Sequence, residues 1–317
     1  MRVRIVGVAL LVCLVATGCV DAEYAEPELT FEQFEATVYQ EPDTGIYIVN
    51  GDEAISEVAA LREFYDRMVA AELDSHAHID SRTQSQPLIV HQSGGQDAKW
   101  SGAEAINLTY CVSTSFGSDY GVMVAAMNDA AAAWEAVAPG VDFIHVDSKD
   151  SKCNARTGGV VFDVNPTNTT QYVARAFFPN DSRRARNVLF STAYLVPGSL
   201  GVWTVSGVLK HELGHALGFR HEHTRPEAGT CYEDANWRAL TAYDSSSVMH
   251  YPHCNGTQTG DLSITASDAA GAATLYPAYD GGGDPEPPAE CGGRNAECSD
   301  SSTCCEGLSC NSRGRCR

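Results

Sequence analysis

Residues 211–223, HELGHALGFRHEH, pack four histidines and two glutamates into thirteen positions, and their spacing restricts what this part of the chain can be. The surrounding TVSGVLKHELGHALGF predicts a helix over residues 204–219. On a helix His211 and His215 stand one turn apart on one face, where their imidazoles can converge on one ion, while adjacent Glu212 points aside to where it can reach a water on that ion. His221 lies six residues beyond His215, a spacing that no continuous helix returns to the same face. Gly218 answers this, because a glycine can take positive φ, end the helix and swing the chain back until His221 reaches the ion. Three neutral imidazoles with an open fourth position are what a catalytic zinc requires. His223 fits neither spacing and falls outside the ligand set.

The chain around this stretch is globular, since 317 residues with 44% hydrophobic content can build a substantial core. A net charge of -20 without clustered Lys and Arg argues against a nucleic-acid partner. Strands are expected in INLTYCV (106–112), VDFIHV, GGVVFDV and NVLFSTAYL. A helix is expected in YGVMVAAMNDAAAAWEAVA (120–138) and another in SDAAGAATLYP (267–277), started by Ser267 as N-cap and stopped by Pro277. Upstream, GIYIVNGDEAI (45–55) reads as a strand with an Asn-Gly-Asp turn, and EVAALREFYDRMVAAEL (57–73) as an amphipathic helix. These fifty or so residues are too few for a robust core of their own and should lean on the next block. The polar residues 74–99 read as a boundary between the two.

The first nineteen residues, MRVRIVGVALLVCLVATGC, have the basic start, short apolar run and small residues of an export signal. Their end resembles a bacterial lipoprotein signal, in which Cys19 becomes the lipidated first residue and the only membrane attachment. Cleavage after Ala22, giving a secreted protein, is the alternative. With Cys13 and Cys19 set aside, ten of the 12 cysteines remain, an even number suited to an oxidising compartment. Cys111, Cys153, Cys231 and Cys254 should form two disulfides, with Cys231 to Cys254 the favoured pair, because these two bracket the segment between the zinc helix and SSVMHYP (246–252).

HExxHxxGxxH, the SVMHY that follows some 30 residues later, and the terminal helix together resemble the metzincin zinc endopeptidases, closest to the astacin-type and HEIGH-type bacterial branches. The resemblance implies an α+β, two-subdomain protease, a twisted sheet with an active-site helix, over residues 99–279. It implies one catalytic Zn2+ held by His211, His215 and His221, protein or peptide substrates, Glu212 as general base and Tyr251 as oxyanion donor. It also implies Met249 as a floor beneath the metal, Glu222 as partner for a new amino terminus, and ARAFFPN (174–180) as the border of a cleft where a peptide adds as a strand. The pattern next expects Arg and Asp, where this chain has Arg225 but Glu227.

In astacin-type enzymes the Asp of a Gly-Asp step silences the enzyme from the metal's open position, which makes Asp52 of VNGDEAI the candidate plug. A plain turn has the same sequence. Residues 19–98 are then a propeptide-like region behind the signal (1–18), with the activating cut expected in residues 74–99. After a Gly, Pro and acid-rich linker (280–290), the six cysteines of 291–317 resemble a knottin. The reading is an exported zinc endopeptidase made as a zymogen, lodged in the cell envelope or secreted. The alternative is a non-catalytic surface protein whose knottin-like module engages a partner; a scaffold of that kind has no use for Glu212. Oligomeric state is not legible.

Overall fold

The computed structural model describes residues 29–77, 88–231, 233–258 and 261–281. The expected signal with Cys19, the linker from residue 282 onward and the knottin-like module lie outside the described residues.

A capping box starts the described residues: the Thr30 hydroxyl accepts from the Gln33 N–H, and the Gln33 side chain accepts from the Thr30 N–H. Helix α1 (Phe31–Glu35) follows, then β1 (Tyr39–Gln40), β2 (Tyr47–Val49) and β3 (Glu53–Ile55), an antiparallel sheet in sequence order. Helix α2 (Val58–Ala77) lays Leu61, Phe64 and Tyr65 on Phe31 and Val49. Five buried side chains make a small core, and the block also leans outward, as its size requires: Ile46 and Ile48 pack on Tyr172, with Leu189 beside them.

The second block opens with β4 (Ile89–Ser93) and β5 (Gln96–Asp97). This corrects the reading of residues 74–99 as one polar boundary, because Leu88, Ile89 and Val90 are fully buried and β4 is the central strand of a small sheet. The apolar triplet LIV outweighs its polar flanks. Helix α3 (Gly102–Ala105), β6 (Leu108–Val112), α4 (Tyr120–Glu135), β7 (Phe143–His145), β8 (Phe162–Thr167), β9 (Ala174–Arg175) and β10 (Asn187–Ser191) come next. The main sheet runs β7-β6-β8-β10-β9; its first four strands are parallel and the edge strand β9 is antiparallel to β10. Met123, Met127, Ala130, Ala131 and Trp134 form the buried face of α4. Their alternation of small and large side chains lets α4 pack closely on α5 (Val205–Ala216), and the Trp134 indole N–H donates to the Lys210 carbonyl at 2.8 Å.

The chain then forms β11 (Phe219–Arg220) and β12 (Trp237–Ala239), which flank β4 on either side, both antiparallel to it. Helix α6 (Ala266–Leu275) closes the described part. Its N-cap is Thr265 and not Ser267: the Thr265 hydroxyl accepts from the Asp268 N–H at 3.1 Å and the Asp268 carboxylate accepts from the Thr265 N–H at 2.9 Å. An acid three residues on completes a capping box at Thr265, which decides between the two hydroxyl residues. The architecture is α+β, and Cys111 to Cys153 and Cys231 to Cys254 are the two disulfides of the second block, as expected.

Candidate active site

Helix α5 is capped by Thr204, whose hydroxyl accepts from the Gly207 N–H at 2.9 Å, and it carries His211 and His215 one turn apart with ring centroids separated by 4.9 Å. Gly218 ends it with φ +96°, where a Cβ would also meet the Ala98 carbonyl oxygen at 2.0 Å. Both reasons demand glycine. The reversed chain brings the His221 ring to 5.2 Å from His211 and 4.7 Å from His215.

Each ring is fixed from behind. Nδ1 of His211 donates to the Val248 carbonyl at 2.8 Å, Nδ1 of His215 to the Phe219 carbonyl at 2.8 Å, and Nδ1 of His221 to the Glu233 carboxylate at 2.7 Å. With Nδ1 committed as donor, Nε2 of each ring is a lone pair, and all three face inward. The Asp52 carboxylate faces them, 3.2 Å from Nε2 of His211, 3.6 Å from that of His215 and 3.1 Å from that of His221. Nε2 of His215 and Oδ1 of Asp52 are buried without a hydrogen-bond partner. Three lone pairs and a carboxylate repel one another unless a proton or a metal cation stands among them. All four donor atoms lie within 4.8 Å of one another and all four residues are buried, a donor set that fits zinc.

Glu212 is 2% exposed and its Oε2 has no partner. Burial, reinforced by the Asp52 charge, holds its carboxyl well above the usual carboxylate range. The Tyr251 ring packs 4.5 Å from that of His221, and its hydroxyl donates a short hydrogen bond to Asp52. Gly51, at φ +102°, admits this approach, because a Cβ there would lie 3.2 Å from the Tyr251 oxygen. A cavity beside these groups is walled by Val173, Ala174, Trp203, Val208 and Leu262, so the border expected from ARAFFPN lies at the site through Ala174.

Met249 is fully buried and its sulfur lies against Gly214 of α5, the helix that carries His211 and His215. The turn holding it is tied to α6, since Asp268 accepts from the Ser247 hydroxyl at 2.6 Å and the Val248 N–H at 2.9 Å. Glu222 is buried beside Arg225 at 3.4 Å, and burial pushes its carboxyl up to about 8. Arg225 also approaches Glu227, at 3.5 Å. His223 does not join the inward-facing set; its Nδ1 accepts from the Tyr251 N–H at 3.2 Å.

Sequence reasoning passed over Glu233. Its carboxylate takes His221 Nδ1 at 2.7 Å, His223 Nε2 at 3.2 Å and the Arg220 guanidinium at 2.7 Å. Arg220, 1% exposed, also pairs with Asp234 and with Glu53 of the first block at 3.0 Å. Only the requirement that a buried histidine have an acceptor behind it could have pointed to Glu233, and no fixed spacing says which acid supplies it.

No family model matches the chain. It is similar to high choriolytic enzyme 2 of Oryzias latipes, 40% identical over 63 residues that cover 14% of this chain and 22% of the relative. It is also similar to the astacin-like metalloendopeptidase of Coturnix japonica, 36% identical over 94 residues that cover 24% and 20% respectively. The chain thus spans about a fifth of the length of these curated relatives. Among solved structures, high choriolytic enzyme 1, a hatching enzyme zinc-protease from Oryzias latipes, aligns over 53% of this chain and 88% of its own with a TM-score of 0.35 and 20% identity.

Proposed function

We propose that the chain is an exported zinc endopeptidase of the astacin type, made as a zymogen. The observation that carries this reading is the convergence of three Nε2 lone pairs, each fixed from behind through Nδ1, with a buried and unpaired glutamate beside them. His211, His215 and His221 hold the ion, which when bound supplies a Lewis acid for the scissile carbonyl and a lowered pKa for water. Glu212 then takes the proton of the attacking water and returns it to the leaving amine; burial gives its carboxylate the proton affinity for this task. The Tyr251 hydroxyl, which donates to Asp52 in this state, donates instead to the developing oxyanion once Asp52 is withdrawn.

Latency follows from the same atoms. Asp52 lies where a substrate carbonyl and water would lie, and the block that carries it is clamped to the second block through Glu53 on Arg220 at 3.0 Å and Arg67 on Asp234 at 2.9 Å. Because β4 belongs to the second block, the activating cut falls before Leu88 and not near Trp100. In the β4 and β11 register Ile89 stands opposite Arg220, so a chain beginning just before Leu88 starts next to the strand that leads into His221 and Glu222. Glu222 pairs with Arg225 through Oε1 but leaves Oε2 buried without a hydrogen-bond partner, and an ammonium there supplies the missing donor.

The test is peptide-library digestion by the processed chain with and without a chelator. Chelator-sensitive cleavage, restored by added zinc, is expected; a chain that binds zinc yet cleaves nothing would leave the scaffold reading.

A further inference from the structure

Arg175 is fully buried, and its guanidinium forms a bidentate pair with Glu41 of the first block, Nε to Oε1 at 2.7 Å and Nη2 to Oε2 at 2.9 Å. The Tyr172 hydroxyl donates to the same Oε1 at 2.6 Å. On its other side Nη1 of Arg175 donates to the Asn187 side-chain oxygen at 2.7 Å, a contact within the second block. Among the described residues no other carboxylate pairs with Arg175. The lid over this arrangement also comes from the first block, with Ile46 and Ile48 on Tyr172.

Arg175 lies in β9, the edge strand of the main sheet, directly after Val173 and Ala174, which wall the same cavity as His211, Glu212 and Asp52. Removing the first block uncovers Arg175 and Tyr172 at the border of the cleft while Asn187 still holds the guanidinium. A fixed two-pronged donor is then left without its counter-ion, at a place where a peptide can add as a strand.

We propose that Arg175 and Tyr172 form a carboxylate-binding subsite that takes an acidic side chain of the substrate, and that Glu41 occupies it in the uncut chain. The proposal rests on the peptidase reading above. It assigns to the first block two substrate-like carboxylates, one at the metal site and one at the specificity site.

The experiment uses the full chain processed by limited proteolysis and peptides that differ only by Glu or Gln at each of the four positions before the cleaved bond. At one of these positions the Glu peptide should be preferred in kcat/KM by about tenfold or more. Arg175→Met should bring that ratio close to one, and Tyr172→Phe, which removes only a hydroxyl, should lower it several-fold. A ratio near one in the parent overturns the subsite and leaves the peptidase standing, and a high ratio that survives both substitutions overturns it too. Absence of any chelator-sensitive hydrolysis removes the peptidase reading and the subsite with it.

Discussion

Both carboxylate oxygens of Asp52 lie against Nε2 of His221, at 3.1 and 3.3 Å, although 169 residues separate the two in sequence. A side chain that meets the inner face of a ligand histidine in this way competes with whatever else is to bind there. Asp52→Ala should therefore give the uncut chain peptidase activity about tenfold or more above the parent, since it removes the population penalty that the plug imposes. Asn50 is unsuited as a control, because it sits at φ 55° and donates to Glu53 at 2.8 Å. The exposed Asp43, changed to Ala, is the better comparison. Equal latency in Asp52→Ala and the parent would reduce the Asn-Gly-Asp step to a turn.

Glu212→Gln should keep one equivalent of zinc, measured by atomic absorption, and lose about 10²- to 10⁴-fold in kcat. The substitution preserves shape and leaves all three imidazoles in place. Near-parent turnover with metal bound would assign the base to another group.

Glu233→Gln should weaken zinc binding by about 10- to 100-fold, read by competition with a chromogenic chelator. The amide still reaches His221 but loses the charge that makes the ring a stronger donor to metal. Parent-like affinity would mean that Glu233 serves only Arg220.

Acid should loosen the first block. Burial raises the Glu41 carboxyl, but the Arg175 hydrogen bonds and charge outweigh this and leave it below its ordinary value, with Thr44 and Tyr172 adding hydrogen bonds in the same direction. A group with a lowered folded pKa contributes stability above its unfolded pKa and loses it as pH falls through the folded value. Protection factors for hydrogen exchange in β1 and β2, which correct for the intrinsic pH dependence of exchange, should hence be high at neutral pH and fall below about pH 4, and Glu41→Gln should flatten that dependence. A parent profile without an acid limb would show that the pair does not hold the block.

The zinc helix was legible because its chemistry is local: His211, His215 and His221 fall within eleven residues, and helical period and one glycine dictate their arrangement. The Gly-Asp step of residues 51–52 was legible through likeness to a family pattern. Glu233, and the pairing of Glu41 with Arg175, were not, because 12 and 134 residues separate these partners from His221 and from each other, and only the folded chain brings them together. Strand β4 was hidden because its two buried residues, Ile89 and Val90, make with the preceding Leu88 a triplet too short to show a period. The cap of α6 was misplaced by two residues because a serine and a threonine both preceded the helical run and the deciding signal was Asp268.

The acceptors that set the three histidines are the Val248 and Phe219 carbonyls and the Glu233 carboxylate, and every one of them lies after Leu88. Among the described residues the first block meets the ligand set at its open side through Asp52 and, behind His221, through Glu53, whose Oε1 lies 3.9 Å from Nδ1. On the proposed zymogen reading, activation is thus mainly subtraction: cutting away the N-terminal segment removes Asp52 from the metal-binding face and Glu53 from Arg220, while the three acceptors themselves belong to the chain that stays. On the same reading it is also a one-way event, because the segment that closes the site is lost with the cut.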